Sequence, residues 1–388
     1  MRKHVLILGA GFAGLELATQ LSETLPDAVR VTLIDRNDSF FFGFSKLDVM
    51  LGRQTAADVR IPYSAVDKEG VEFRQETVTA VDPSTRRVTT NAGSYDADFL
   101  VVALGADYDM AATPGFEAGG QEFYSLAGAE RLRDALADFD GGRVLISILG
   151  QPFKCPPAPF EGAFLLHEYF VQRGIRDSVE LTSIFPMARP VPVTGPVSQM
   201  FRDGLAERGI EELPGQRVTG IDPGARTAQT SEGDSIPYDM FIGIPVHRAP
   251  DPLAASDLTV DGWVPVDQTN LRTRFAGVYA LGDVCSGPRV VPKAGIFAES
   301  AARVVAADIT AAITGGEPPA PYAGSGICYA EFGEGLVSKV DVSFLAGPAP
   351  DAVRHLPSRA IAAEKVEFGA TRRARWFGLD SEPRADGH

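Results

Sequence analysis

The stretch Val5-Leu-Ile-Leu-Gly-Ala-Gly-Phe-Ala-Gly14 decides the fold of this chain. A short apolar run leads into a GxGxxG turn, and Leu15 to Leu25 then continues with helical spacing. In such a turn the first glycine permits the tight bend, the second lets the backbone approach a pyrophosphate, and the third lets helix and strand pack closely. Asp35 ends the next apolar run, where a carboxylate accepts hydrogen bonds from a ribose. The stretch therefore predicts a dinucleotide-binding βαβ unit.

The pattern of buried strands and amphipathic helices starts a second time further along the chain. The run rich in Ala, Gly and Pro at residues 111–120 is typical of a crossing between domains. We therefore predict an α/β fold with two Rossmann-like three-layer domains and a small C-terminal region. The first domain is expected to be discontinuous, with residues 1–110 and 246–320. The second takes residues 111–245, and residues 321–388 carry strands and a basic, aromatic tail. Val71 to Thr79 and Arg87 to Thr90 alternate as strands of a small antiparallel sheet do, and we predict that they form one.

The composition excludes several classes of protein. Asp and Glu outnumber Lys and Arg by 51 to 36, a net charge of −15, whereas nucleic-acid binding needs a basic face. Three cysteines without a CxxC pair predict neither a disulfide framework nor a metal site. The apolar run after Met-Arg-Lys is too short for a signal peptide, and no apolar stretch reaches the ~18 residues of a membrane span. We expect a cytoplasmic enzyme.

Two later segments indicate which dinucleotide the first domain binds. Leu100-Val-Val-Ala-Leu-Gly105 resembles the strand-to-glycine return of the flavin disulfide reductases. Val278-Tyr-Ala-Leu-Gly-Asp283 resembles their second FAD signature, in which the aspartate holds the ribityl chain. Together with the N-terminal turn, this resemblance implies that the cofactor is FAD.

The second domain departs from the pattern of NADH-using relatives, which repeat a glycine-rich turn there. Its first strand, Arg143 to Leu149, runs into Gly150-Gln-Pro-Phe-Lys-Cys-Pro-Pro-Ala-Pro159. Prolines lack the N–H groups that would hold a pyrophosphate, and the glycine spacing is lost. We therefore expect a cysteine loop in place of a nicotinamide nucleotide site.

Four segments narrow the resemblance to the family of sulfide:quinone oxidoreductase and flavocytochrome c sulfide dehydrogenase. They are Lys154-Cys-Pro-Pro-Ala-Pro-Phe-Glu161, Ile244-Pro-Val-His-Arg-Ala-Pro250, Pro292-Lys-Ala-Gly-Ile-Phe-Ala-Glu299 and Gly326-Ile-Cys-Tyr-Ala330. The similarity extends over nearly the whole chain, up to about residue 345. In that family the two matching cysteines face the flavin and form a redox disulfide. The resemblance implies this role for Cys155 and Cys328.

The implied chemistry agrees with general sulfur reactivity. Hydrosulfide would attack the disulfide, leaving a persulfide on one cysteine and a thiolate on the other. That thiolate would then add to the flavin, which accepts two electrons. Lys154 would favour a thiolate on Cys155 if its ammonium group lies near the sulfur. Each cysteine also has the plainer interpretation of a small buried hydrophobe, which we favour for Cys285.

Other residues are expected to handle protons and to bind the cofactor. Glu161 and His247 are candidates for proton transfer, although His247 also fits a structural, hydrogen-bonded histidine. Lys293 and the following helix N-terminus are expected near the flavin C2 carbonyl, where positive charge would stabilise reduced flavin. The predicted FAD-binding residues are Gly9, Gly11, Phe12, Ala13, Gly14, Asp35, Arg36, Lys46, Val78, Ala103, Gly105, Gly282, Asp283, Lys293, Ala294 and Gly295.

The electron acceptor is the least determined part of this interpretation. The substrate is expected to be sulfide, a small thiol or a persulfide, and the acceptor a quinone at a membrane surface or a soluble molecule. The basic, aromatic segment Glu364 to Phe377 would contact an anionic bilayer weakly, or it would be a solvated or core-docked terminus. Two alternatives stay open: an enzyme like the type II NADH dehydrogenases, and a flavin-bound redox sensor without turnover. The oligomeric state is open as well.

Overall fold

The computed structural model describes residues 2–191 and 193–379. The first part of the chain alternates short strands with two helices. In chain order these elements are β1 (Lys3–Leu8), α1 (Phe12–Thr24), β2 (Val29–Asp35), β3 (Ser39–Phe40), α2 (Ser45–Met50), β4 (Ile61–Pro62), β5 (Val71–Gln75), β6 (Val78–Asp82), β7 (Arg87–Thr90), β8 (Ser94–Asp96), β9 (Phe99–Val102) and β10 (Asp107–Asp109).

The middle of the chain builds a second unit of the same kind. Its elements are α3 (Phe116–Gly119), α4 (Leu126–Ala137), β11 (Gly142–Ile148), α5 (Ala158–Gln172), β12 (Val179–Phe185), α6 (Gly195–Glu207), β13 (Glu211–Pro214), β14 (Val218–Asp222), β15 (Thr227–Thr230), β16 (Ser235–Pro237) and β17 (Met240–Ile244). Strands β13-β12-β11-β17 form a parallel sheet in that order.

The chain then returns to the first unit and ends in an antiparallel sheet and a helix. These elements are β18 (Val246–Arg248), α7 (Asp251–Ala254), β19 (Val264–Pro265), β20 (Val278–Ala280), β21 (Cys285–Ser286), α8 (Gly295–Thr314), β22 (Ser325–Gly333), β23 (Leu336–Ser343), β24 (Asp351–Ser358) and α9 (Arg359–Phe377). Strand β20 completes the first parallel sheet, whose order is β20-β9-β1-β2-β5.

The predicted fold class is confirmed. The inner strands of both parallel sheets are short, apolar and almost wholly buried, as expected when helices cover both faces, whereas the edge strands β5 and β13 are more polar and more exposed. The carboxyl end of β1 leads directly into α1, so the glycine turn lies at the edge of the sheet where open α/β folds bind ligands.

The small antiparallel sheet predicted from Val71 to Thr79 and Arg87 to Thr90 is confirmed for β6 and β7, but β5, the first part of Val71 to Thr79, lies outside it. Strand β5 pairs with β2 in the parallel sheet, whereas β6 pairs antiparallel with β7 in a separate three-stranded sheet. The chain turns between them where the N–H of Glu76 donates to the carbonyl of Asp35. The apolar positions change phase between Phe73 and Val78, with the polar residues 75–77 between them, which marks the change of sheet.

The basic, aromatic segment lies in helix α9, which packs onto the first unit. Trp376 and Phe377 are buried in the same apolar core as α1 and α8. The core-docked interpretation therefore agrees with the structure, and the ring surfaces offered for bilayer contact are covered. Within the described ranges, no helix combines the length and apolar character needed to cross a membrane.

Candidate active site

The glycine turn between β1 and α1 forms one wall of a large cavity. Gly9 has a φ of +100°, and a Cβ atom there would lie 2.3 Å from the carbonyl oxygen of Ala103. A Cβ atom on Gly14 would lie 1.9 Å from the carbonyl oxygen of Gly9. A Cβ atom on Gly11 would meet no atom within 4 Å, and Gly11 lines the cavity. Gly9 and Gly14 are thus required by packing, whereas Gly11 leaves room for a ligand.

Asp35, at the end of β2, is oriented by groups on both sides of it. Its Oδ2 accepts a hydrogen bond from the N–H of Ala10 over 2.8 Å. Its Oδ1 accepts from the backbone N–H of Asn37 over 2.9 Å and from the Asn37 amide over 2.8 Å. The next residue, Arg36, pairs with Asp107 at 3.0 Å. A carboxylate has about four acceptor positions, so Asp35 retains capacity for ribose hydroxyl groups.

Asp283 provides the structural test of the predicted cofactor. Its Oδ1 is buried and has no hydrogen-bond partner within the described part of the chain, and the residue lines the cavity. Burial raises the pKa of this carboxyl group. A buried acceptor without a donor costs about 1–3 kcal/mol, which a ligand hydroxyl group would relieve. The ribityl chain of FAD carries such hydroxyl groups, so Asp283 and the opening at Gly11 fit this cofactor.

Lys293 lies just before helix α8 and beside Asp283. Its Nζ donates to the carbonyl oxygens of Asp283 and Cys285, over 2.5 and 3.1 Å. It also lies 3.6 Å from the ring centroid of Trp263. Burial lowers the pKa of Lys293 to about 8. These contacts hold a positive charge in the cavity wall, at the start of α8.

The cavity encloses about 670 Å³, a normal size for a ligand site. Two predicted cofactor residues do not line it: Gly14 lies behind the turn, and Val78 is buried in the core with the inner residues of β1. The predicted cofactor residues that line it are Gly9, Gly11, Phe12, Ala13, Asp35, Arg36, Lys46, Ala103, Gly105, Gly282, Asp283, Lys293, Ala294 and Gly295.

Cys155 reaches the cavity from the loop between β11 and α5. Its φ is +51°, a left-handed conformation that is uncommon outside glycine and concentrates at functional sites. The N–H of Cys155 donates to the carbonyl of Lys293 over 2.7 Å. Its own carbonyl accepts from the N–H of Ala158 over 2.9 Å and from the hydroxyl of Tyr124 over 3.4 Å. The loop is therefore fixed to both units, with Cys155 facing the cavity.

Cys328, on β22, lines the same cavity, with Glu161 of α5 beside both cysteines. Both cysteines are thiols in this structure. Burial, and then the charge of Glu161, raises the pKa of both thiols, that of Cys328 to about 12. Glu161 accepts a hydrogen bond from the N–H of Glu331 over 2.9 Å, and burial raises its own pKa to about 7. Such a carboxyl group can give and take protons near neutral pH.

Lys154 does not direct its charge at Cys155, contrary to the expectation from their adjacency. Its Nζ donates to the carbonyl of Ala106 over 2.9 Å and lies 4.3 Å from the ring centroid of Tyr108. The ammonium group that lowers the pKa of Cys155 belongs to Lys46. Neighbouring residues in a loop can point their side chains in opposite directions, which the sequence did not reveal.

His247 holds the cysteine loop in place. Its Nε2 accepts a hydrogen bond from the backbone N–H of Lys154 at 3.3 Å, and its Nδ1 donates to the carbonyl of Pro245 at 2.8 Å. Burial, and then the charge of Lys154, lowers the pKa of His247 to about 3. Both ring nitrogens are engaged, and His247 does not line the cavity. The geometry favours the structural interpretation over proton transfer.

Cys285 does not line the cavity of the other two cysteines, although Lys293 lines both that cavity and the one at Cys285. It is half-buried on β21 and lines a separate, mostly apolar cavity of about 220 Å³. Burial raises the pKa of its thiol to about 12. The structure therefore brings Cys155 and Cys328 to one cavity and leaves Cys285 outside it.

The first turn of α5 offers few free N–H groups for a second nucleotide. Pro157 and Pro159 have none. The N–H group of Ala158 donates to the carbonyl of Cys155 over 2.9 Å. Those of Phe160 and Glu161 both donate to the carbonyl of Pro157 over 3.0 Å. A pyrophosphate at this helix N-terminus would lack the donors that such sites use.

Many residues of the cavity wall were missed from the sequence, and three of them show why. Tyr124 lies between α3 and α4, and Lys365 and Phe368 come from α9. No motif marks them, because they reach the site only when the second unit and the C-terminal helix pack against the first. Among the described residues, no cluster of His, Cys, Asp and Glu has the arrangement of a metal site.

Comparison with known proteins agrees with this geometry. The family model described as pyridine nucleotide-disulphide oxidoreductase matches residues 3–149 and 170–296. The sulfide-quinone reductase of Aquifex aeolicus (strain VF5) is 28% identical over 369 residues, covering 86% of this chain and 82% of that protein. The X-ray structure of the sulfide:quinone oxidoreductase from Aquifex aeolicus has a TM-score of 0.87 at 24% identity, covering 98% of this chain and 93% of that one.

A second relative matches over a shorter region. The type II NADH:quinone oxidoreductase of Staphylococcus aureus (strain bovine RF122 / ET3-1) is 41% identical over 106 residues. That region covers 27% of this chain and 26% of the relative. The likeness is therefore local, whereas the match to the sulfide-quinone reductase extends over most of both chains.

Proposed function

The chain belongs to the pyridine nucleotide-disulphide oxidoreductase family, and on that premise we propose that it is an FAD-dependent enzyme that oxidises sulfide. A small thiol or persulfide is the alternative substrate. The electrons pass through a Cys155–Cys328 disulfide and the flavin to a quinone or another acceptor. The observation that supports this proposal most directly is that both cysteines and Glu161 line the cavity that also contains the unpartnered Asp283 oxygen.

The residues of the cavity wall would each bind a different part of FAD. FAD, when bound, supplies an acceptor for two electrons. Gly11 lets the pyrophosphate approach the start of α1, where free N–H groups and the helix dipole favour negative charge. Asp35 accepts from the ribose hydroxyl groups, and Asp283 accepts from the ribityl chain. Lys293 keeps a positive charge at the start of α8.

The cysteine half follows from thiol–disulfide exchange. Hydrosulfide attacks one sulfur of the Cys155–Cys328 bond, the S–S bond breaks, and one cysteine becomes a persulfide while the other leaves as a thiolate. Glu161, with a pKa of about 7, accepts a proton from the incoming sulfur species or returns one to a cysteine. Both cysteines are half-buried and line the cavity, so a small sulfur species can reach them from it.

The alternative of NADH as electron donor is favoured by the local match to type II NADH:quinone oxidoreductases. The start of α5 argues against it, because its N–H groups are either absent or used within the backbone. In addition, β12 ends at Phe185 and continues with Pro186 and Met187. A carboxylate for the nucleotide ribose would be needed near that position.

Stopped-flow reduction under anaerobic conditions tests the proposal. Sulfide should bleach the flavin absorbance at least about a hundredfold faster than equal concentrations of NADH or NADPH. Faster reduction by NADH would replace the proposal with the dehydrogenase alternative. Steady-state turnover with sulfide and a soluble quinone analogue then separates an enzyme from a redox sensor, which would be reduced once and not turn over.

A further inference from the structure

A half-buried lysine from the first unit, Lys46, lines the cavity and contacts the second unit beside the cysteine loop. It lies in the first turn of α2, and its Nζ donates to the carbonyl oxygen of Tyr124 over 2.6 Å. The hydroxyl group of Tyr124 in turn donates to the carbonyl oxygen of Cys155 over 3.4 Å. Lys46 and Cys155 both line the cavity. The ammonium group is thus fixed beside the loop that presents the sulfur.

The other lysines of the cavity wall have their ammonium groups bound elsewhere, and that of Lys365 pairs with Glu331. Lys154 donates to the carbonyl of Ala106 and lies over the ring of Tyr108. Lys293 donates to two backbone carbonyls near Cys285. Lys46 is the cation whose charge lowers the pKa of Cys155, against the larger opposite effect of burial.

We propose that Lys46 is a positioning residue that stabilises the thiolate of Cys155 and so sets its reactivity. This inference rests on the proposed function, in which Cys155 reacts as a thiolate or leaves as one. A buried thiol without a nearby cation stays protonated and is a poor nucleophile or leaving group. When Cys155 releases its proton to solvent, the negative charge on Sγ is balanced by the ammonium group of Lys46, which stays in place through its bond to Tyr124.

The charge on Lys46 is itself sensitive to pH. Burial and then the charge of Lys154 lower the pKa of Lys46 to about 8, against the opposing effects of Cys155, Glu122 and Asp283. Of these, Glu122 accepts from the N–H groups of Tyr124 and Ser125, at 2.6 and 2.8 Å. The cation is therefore present below about pH 8 and is lost above it. Its effect on Cys155 should be largest near neutral pH and should fade in alkaline solution.

The test is alkylation of Cys155 by iodoacetamide in reduced, full-length protein that carries Cys285→Ser and Cys328→Ser. Lys46→Met removes the charge and keeps much of the side-chain volume. At about pH 7 it should slow alkylation roughly tenfold, because the thiolate fraction falls tenfold for each unit by which the pKa rises. Lys46→Arg keeps a cation and should restore most of the rate. Flavin absorbance and circular dichroism check the fold, and Lys46→Gln serves if the Met variant fails to fold.

Lys154→Met is the matched comparison, since it removes a lysine next to Cys155 in sequence. It should change the pH profile of alkylation much less than Lys46→Met does. If Lys154→Met has the larger effect, or if Lys46→Met and Lys46→Arg behave alike, the inference is overturned. Alkylation requires no sulfide turnover, so this result does not depend on the identity of the substrate. Failure of sulfide to reduce the flavin would reject the proposed function and leave the role of Lys46 measurable.

Discussion

Trp376 donates its indole N–H to Oε2 of Glu16 over 2.8 Å, although 360 positions separate them in the chain. Both side chains are fully buried. Arg375 and Arg303 also bind Glu16, at 2.9 and 3.1 Å. Burial alone would raise the pKa of Glu16, but Arg375 and Trp376 lower it to about 2. One carboxylate on α1 therefore holds the C-terminal helix against the glycine turn.

Loss of this carboxylate should destabilise the whole protein. Glu16→Ala leaves the buried indole N–H of Trp376 without its acceptor, while Arg375 keeps its contact with Glu23. A buried donor left unpaired in this way costs about 1–3 kcal/mol. Urea unfolding of the flavin-loaded protein, followed by tryptophan fluorescence, measures the change. Glu367 is an exposed residue of α9, and Glu367→Ala should leave the free energy of unfolding within about 0.5 kcal/mol of the parent. Equal effects from the two variants would show that the Glu16 contacts contribute little.

Two glycines of the turn should respond differently to the same substitution. Gly11→Val should keep the fold and lose bound flavin, because its side chain would extend into the cavity and not into protein atoms. Gly14→Val should impair folding itself, since a Cβ atom there lies 1.9 Å from a carbonyl oxygen. The ratio of flavin to protein absorbance after desalting, together with circular dichroism, distinguishes the two effects. Full flavin content in Gly11→Val would mean that the cofactor binds elsewhere.

Cys155 and Cys328 should both be required for flavin reduction by sulfide, whereas Cys285 should not. Cys155→Ser and Cys328→Ser should keep the flavin, since serine is close in size to cysteine. Each should slow flavin reduction by sulfide by several orders of magnitude, because no persulfide can form. The double variant should be little worse than either single one, since groups that act as a unit are not additive.

Cys285→Ser is the control for that pair and should stay within about tenfold of the parent, or ~1.4 kcal/mol in the barrier. An essential Cys285 with a dispensable Cys328 would reassign the pair. If all three cysteines prove dispensable, sulfide reacts with the flavin directly.

Glu161 should make stability depend on pH near neutrality. Its pKa in the folded protein, about 7, lies above the ordinary 4.5, so the unfolded chain gives up this proton more readily. Its contribution to stability is complete below about pH 4.5 and is lost as the pH rises through about 7. Glu161→Gln should therefore lose less stability than the parent between these limits, measured by urea unfolding at several pH values. Parallel curves for the two proteins would show that Glu161 ionises normally. Glu367→Gln provides the exposed control.

Local patterns predicted the parts of the site whose partners lie close in the chain. The glycine turn, the helix after it and Asp35 lie within one βαβ unit. The GxGxxG spacing reflects the lack of room for a Cβ atom, which the structure shows at Gly9 and Gly14. The cysteine loop was recognisable because its prolines remove N–H groups that a nucleotide site needs. These are short-range properties of the backbone, so the sequence alone is sufficient to predict them.

Side-chain direction and long-range packing were decided only by the tertiary structure. The ammonium group of Lys154 binds the carbonyl of Ala106 and that of Lys46 binds the carbonyl of Tyr124, because the direction of an ammonium group depends on which carbonyl is within reach after the two units meet. From the sequence, Trp376 and Phe377 fit a bilayer contact and a docked helix equally well, since both environments remove apolar surface from water. The sequence thus determined the fold class and the residues that shape the backbone. The packing of the second unit and of α9 against the first decided which charges face Cys155 and that α9 covers α1, because those contacts join residues hundreds of positions apart.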